Sequence, residues 1–170
     1  MTRPLKIILL FFFLLIPFSK SNAHQNVAYI DLDYILNNST LGKKIIDKLN
    51  IINEENLNII KLKEKQLKEK EQKLLKEKNL LSKEIYNENI NNLRKEINEF
   101  RLTNIDNKKK FSVTKKKEFD NFLKEIEPIL NNYMKENSIN ILLDRKNIFI
   151  GKTELDITEK IINIINLKIK

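Results

Sequence analysis

The chain has 170 residues with 32 Lys or Arg against 23 Asp or Glu, a formal net charge of +9, and contains one His, two Gly, three Pro and no Cys. The missing thiols exclude disulfides, thiolate metal centres, a cysteine nucleophile and lipid attachment to cysteine; the lone His24 cannot build a histidine triad or a multi-histidine metal site within one chain. Scarce Gly and Pro amid heavy Lys, Glu, Leu, Ile and Asn point to long uninterrupted helices, and no Gly-rich stretch precedes a helix to cradle a phosphate.

Residues 1–23 have the three parts of a secretory signal: Arg3 and Lys6 at the start, an apolar run from Ile7 to Phe18, and a polar exit ending in Ser21-Asn22-Ala23. The run is shorter than the roughly 20 residues a spanning helix needs. Cleavage between Ala23 and His24 is therefore predicted, with His24 a disordered terminal residue of an exported chain. Loss of Arg3, Lys6 and Lys20 leaves the mature protein basic but well mixed. Were Ile7–Phe18 retained, the chain would instead be an anchored coiled-coil spacer or adaptor.

Residues 24–40 form the first part of a small body, with Val27–Leu32 suited to a strand and Tyr34–Leu36 to a brief helical turn. Ser39 or Thr40 can cap a helix that nothing breaks from Leu41 to Leu80, about 60 Å at 1.5 Å per residue. Ile60, Leu67, Leu74 and Leu81 recur at heptad spacing, whereas Glu64, Glu71 and Lys78 fill the other seam position. A seam this thin holds one partner helix and is expected to loosen toward its tip. The tip is placed near 80–83, where Ser82 can cap a new helix with Glu84 in its first turn.

Beyond the tip Tyr86, Ile90, Leu93, Ile97 and Phe100 keep a helical stripe that Phe111, Phe119, Phe122, Ile126, Ile129 and Tyr133 continue. A turn near Ser82 sets Phe111 level with Ile52 and Phe122 with Leu41, so the arm spans 41–127 and returns to the body. Pro128 predicts a kink where the second part of the body, 128–170, begins. Asn137 and Ser138 end the helix, Ile139–Leu143 and Ile148–Ile150 read as strands, and Gly151 opens a turn. Leu155-Asp156 caps a final amphipathic helix bearing Ile157, Ile161, Ile162, Ile164 and Ile165.

The fold class is α+β: a small β-rich body carrying a long antiparallel helical hairpin. Three short strands and one helix are near the lower size limit for a self-sufficient core, and their apolar edges would stay open. Association through the strands is expected, with Val27, Tyr29, Ile141 and Leu143 as candidate oligomer contacts. Lys108, Lys109, Lys110, Lys115, Lys116 and Lys117 can steer acidic partners, an attraction that fades with salt, or simply keep a helix face solvated. Phe100, Phe111, Phe119 and Phe122 either pack between the arm helices or remain partly exposed as candidate contacts for a binding partner, because the facing helix is poor in apolar residues. Acid pairs such as Glu54-Glu55 fit a solvated helix surface; no catalytic, cofactor or metal site is predicted, and export disfavours nucleic acid as a partner.

Several stretches taken together resemble the Skp/OmpH family of periplasmic chaperones. VAYIDLDYIL (27–36) is similar to that family's first strand and turn, the Lys/Glu helix to its arm, Leu80-Leu81-Ser82-Lys83-Glu84 to its tip, and Glu127-Pro128-Ile129 to the entry into its body. INILLD (139–144) and LDITEKII (155–162) resemble its last strand and helix, so the likeness spans the mature chain in order. The resemblance implies a periplasmic homotrimer with a central β-barrel, whose three hairpins hold unfolded outer-membrane proteins without ATP, prevent their aggregation and support outer-membrane assembly. It also implies an approach of the arm tip to anionic lipid.

Overall fold

The structure, a computed structural model, describes residues 26–169. The signal segment with its Ala23–His24 junction lies outside the described residues. Strand β1 (Val27–Ile30) leads into helix α1 (Leu32–Asn38) and the two arm helices, α2 (Thr40–Glu77) and α3 (Lys83–Glu136). Strand β2 (Ile141–Asp144), two short 3-10 turns (Arg145–Asn147 and Thr153–Leu155) and helix α4 (Thr158–Lys168) complete the chain.

Each boundary has a local cause. The Asp31 carboxylate accepts from the Tyr34 amide at 2.8 Å and starts α1. Ser39 ends α1 and begins α2 at once: its amide donates to the Ile35 carbonyl at 2.9 Å, while its fully buried hydroxyl accepts from the Gly42 amide at 3.1 Å. The corner is so tight that a Cβ on Gly42 would collide with the Leu36 carbonyl. At the tip, Ser82 accepts from the Ile85 amide at 3.3 Å and starts α3. Helix α3 runs on through Pro128, whose ring lies exposed, to Glu136. It closes with Ser138 in the left-handed region (φ 53), the Ile139 amide donating to Met134 O at 2.9 Å and the Ser138 amide to Lys135 O at 3.4 Å.

The two strands pair in parallel, Val27 with Ile141 through Ile30 with Asp144. Alternation turns Ala28, Ile30 and Leu142 to the core and sets Val27, Tyr29, Ile141 and Leu143 on the other face. The expected third strand at Ile148–Ile150 does not form. Asp144 accepts from the Lys146 amide at 3.3 Å and turns the chain at once, and the free side of β1 is already bridged by Asp156. Phe149 and Ile150 are left 99% and 84% exposed.

The core joins both ends of the described chain: Ala28, Ile30, Ile35 and Leu41 meet Phe122, Ile126, Ile129 and the α4 residues Ile157, Ile161, Ile162 and Ile165. Asp156 accepts from the Thr158 amide at 2.9 Å, so it starts α4 one residue upstream of the formal cap. The Thr158 hydroxyl accepts from the Asp31 amide at 2.9 Å, and Asn166 accepts from the Thr40 amide at 2.8 Å, which pins α4 to both ends of α1. Two glycine-linked substitutions should therefore move stability in opposite directions. Gly42→Ala should cost about 3 kcal/mol, because the neighbour it meets is backbone, whereas Ser138→Gly should gain up to about 1 kcal/mol by relieving a left-handed serine. Urea midpoints of the two variants read both signs.

Candidate functional site

The four phenylalanines separate into three environments. Phe122 is fully buried in the core, so it is no client-facing residue; its helical spacing is the same as that of a contact residue, and only α4 closing over it decides. Phe119 is half-buried beside it, ring centroids 6.3 Å apart and tilted by 31°. Phe111 and Phe119 form part of the wall of a cleft of about 730 Å³ where α1, α2 and α3 meet at the arm's root. Phe100 lines a smaller cleft of about 300 Å³ halfway along the arm, opposite Ile59 and Ile60.

All six predicted lysines are exposed on α3. Lys108 and Lys115, Lys109 and Lys116, and Lys110 and Lys117 are each two helical turns apart, and successive pairs are rotated by about 100°. They make a basic collar around the helix and not a single patch. Lys110 pairs with Asp106 at 2.7 Å and Lys116 with Asp120 at 2.9 Å. Among the described residues Lys108, Lys109, Lys115 and Lys117 have no such ion pair.

Beyond Leu67 the seam residues are at most half-buried, in keeping with a seam that loosens toward Ser82, but a polar layer also interrupts it nearer the root. Leu67, well out along α2, is buried, and Lys70 grips Glu96 across the seam at 2.7 Å with Lys63 at 3.8 Å. The Lys70 hydrogen bond and the nearby ammonium charges hold the Glu96 carboxyl below the usual glutamate range. Nearer the root, half-buried Asn56, Asn104 and Asn107 occupy seam positions where apolar residues would zip the helices. The Asn104 Oδ1 is buried without a hydrogen-bond partner, at the edge of the 300 Å³ cleft.

Phase selection of the seam stripe misses a second apolar set. Ile51, Ile59 and Leu62 on α2 and Leu102, Ile105 and Val113 on α3 are each 57–63% exposed. Their signal is legible in the sequence as apolar residues out of phase with the seam, spaced eight and three apart on α2 and three and eight apart on α3. In the body, Ile141 and Leu143 are also exposed, Val27 is half-buried, and Tyr29 is nearly covered by its own chain, with Gly151 and Ile148 close by. Tyr29 therefore has little surface left to offer a partner. Among the described residues no cluster of His, Cys, Asp or Glu could hold a metal, and no helix is long and apolar enough to cross a membrane.

Residues 26–165 match the family model "Outer membrane protein (OmpH-like)", and the chain belongs to that family. A crystal structure of an OmpH-like protein from Caulobacter crescentus superimposes with a TM-score of 0.77 at 17% identity, covering 87% of this chain and 88% of that one. The two share the α+β fold. No curated protein matches the sequence.

The Glu96 clamp gives a pH signature. A carboxyl whose folded value is depressed stabilises the fold above the ordinary glutamate range, and that contribution disappears as pH falls through the folded value. Carboxyl NMR should show Glu96 titrating below a free glutamate, and Lys70→Ala should move it back up; an unmoved titration in the variant would contradict the clamp.

Proposed function

We propose that this OmpH-like protein is an ATP-independent holdase of the periplasm that binds unfolded outer-membrane proteins, prevents their aggregation and so supports outer-membrane assembly. The observation that carries the reading is the out-of-seam apolar set, with Leu102, Ile105 and Val113 running along α3 beside the lysine collar. Apolar side chains left in water on a helix that already has a partner stabilise nothing in the free chain, yet each can cover apolar surface of a non-native client. Lysines among them attract acidic segments from a distance and keep the arm soluble. The Caulobacter crescentus relative is described by its solvers as a candidate outer membrane chaperone, which agrees with this reading.

Export by cleavage after Ala23 delivers the mature chain, and a homotrimer gathers three arms around one cavity. Support for association lies in the unpaired edge of β2, with Ile141 and Leu143 exposed, and in the exposed Phe149 and Ile150 of the segment that follows it. A two-stranded sheet with such an edge gains most by pairing with another copy. At the tip, exposed Leu80 between Lys78 and Lys83 suits an approach to anionic lipid. The work is binding and release, so it needs no catalytic group or cofactor, and nucleic acid is not its partner.

Dilution of a denatured β-barrel protein into buffer, followed by light scattering, tests the reading directly. The mature protein should suppress aggregation at a few-fold trimer excess, and Leu102→Glu, Ile105→Glu and Val113→Glu combined should weaken suppression several-fold while helicity and the sedimenting trimer persist. Undiminished aggregation with the unmodified protein at several-fold excess would sink the proposal.

A further inference from the structure

We infer that the cleft at the root of the arm is a discrete docking site for one short extended segment of non-native polypeptide, taking a large apolar side chain between α2 and α3 and an adjacent carboxylate at Lys115. The inference rests on the holdase reading and narrows it, from contacts spread along the arm to one built site. The volume of about 730 Å³ is in the range of ligand-sized clefts. Its walls are Leu36, Ile45, Leu49, Phe111 and Phe119, contributed by three helices that the Ser39 corner and the core fix relative to one another.

The rim decides the class of occupant. An extended peptide carries an N–H and a C=O on every residue, about 3.3 Å apart along the chain, and both need partners when they leave water. Asn50, Asn53 and Ser112, all exposed on the rim, offer both donors and acceptors for them. Asn37 already donates to the Asp33 carbonyl at 2.7 Å, which leaves its side-chain oxygen as an acceptor. A lipid acyl chain could use the apolar walls but has no groups to hydrogen-bond these amides, whereas a peptide backbone does, so the rim favours peptide over lipid.

Charge selects the neighbour of the buried side chain. Two lysines line the cleft: Lys116 is committed to Asp120 at 2.9 Å, and Lys115 has no ion pair among the described residues. The one acid in the lining, Asp33, is exposed on α1 and makes no ion pair among the described residues, so the lining carries two ammonium groups against one carboxylate. The balance is positive and Lys115 is the lysine of the lining without an ion pair, so the favoured segment places an aspartate or glutamate beside its large apolar residue, on the α3 side away from Asp33.

The test uses methyl-labelled mature protein and a blocked pentapeptide, glycyl-leucyl-phenylalanyl-aspartyl-glycine, with a second peptide in which lysine replaces aspartate and with dodecyl phosphate as the lipid-like probe. The acidic peptide should give saturable shifts at the methyls of Ile45, Ile46 and Leu49. Lys115→Glu, at an exposed position, should weaken it by about fivefold while strengthening the lysine peptide. Absence of saturable shifts at millimolar peptide, equal affinity for both peptides in both proteins, or a response to dodecyl phosphate alone would overturn the inference. Light scattering on the same samples separates the two readings. If aggregation is suppressed while the peptide does not bind, only the docking site falls; if suppression also fails, the holdase reading falls with it.

Discussion

Parallel pairing of β1 with β2 obliges the chain to leave the sheet at Ile30 and re-enter it at Ile141 running in the same direction. Everything between those residues is the crossover, and here the crossover is α1 and the whole arm. Most parallel crossovers lay a helix back over the sheet to cover it. This one keeps α1, through Ile35, and the last turns of α3, through Phe122, Ile126 and Ile129, on the core with α4, and sends the rest of its helices away. The arm is thus free of any duty in the core beyond its root, and it can carry polar residues in its seam without unfolding the body. The one-residue corner at Ser39 is what makes the geometry hold: α1 packs against α4, and the abrupt turn at Gly42 then launches α2.

Within the arm, stability is unevenly distributed. The root is welded by Phe119 and Phe122 to the core, and Leu67 with the Lys70–Glu96 clamp secures the outer half. Between them Asn56, Asn104 and Asn107 supply a layer that contributes little burial and leaves one carbonyl oxygen unsatisfied. A leucine buried in the same layer would instead contribute about 1.5–3 kcal/mol. The result is two firm segments joined by a soft one, at the level where the smaller cleft opens.

The parts of this architecture legible in the sequence were those with local causes. Heptad-spaced Leu67, the Ser82 cap, the Asn137-Ser138 stop and the isoleucine face of α4 all follow from neighbours within a few residues. The misreadings came where the outcome depends on distant partners. Ile148–Ile150 has strand composition, but Asp156 occupies the edge it could have joined. Phe122 has the same helical spacing as Phe111, and only the arrival of α4 from the far end of the chain separates core from surface. Tyr29 shares a sheet face with Ile141 and Leu143, yet its own chain folds over it near Gly151. Of the candidate site, the lysine collar was visible as composition, whereas the root cleft was not, because it exists only where three helices meet.

A holdase without an energy source must bind tightly enough to outcompete aggregation and loosely enough to release. Apolar contacts alone would satisfy the first condition and strain the second, since each fully covered leucine or isoleucine contributes roughly 1.5–3 kcal/mol. In this arm such residues stay about 60% exposed and are spread along both helices, from Ile51 to Leu75 on α2 and from Leu102 to Val113 on α3, so one short client segment would not cover them all. The interleaved lysines change the balance further. Their attraction acts mainly on the rate of encounter and is screened within about 8 Å at physiological salt, so it raises capture more than it slows departure. On the proposed holdase reading, fast charged encounters and several modest apolar footholds would let the arm give up a client whenever folding offers a better burial of the same surface.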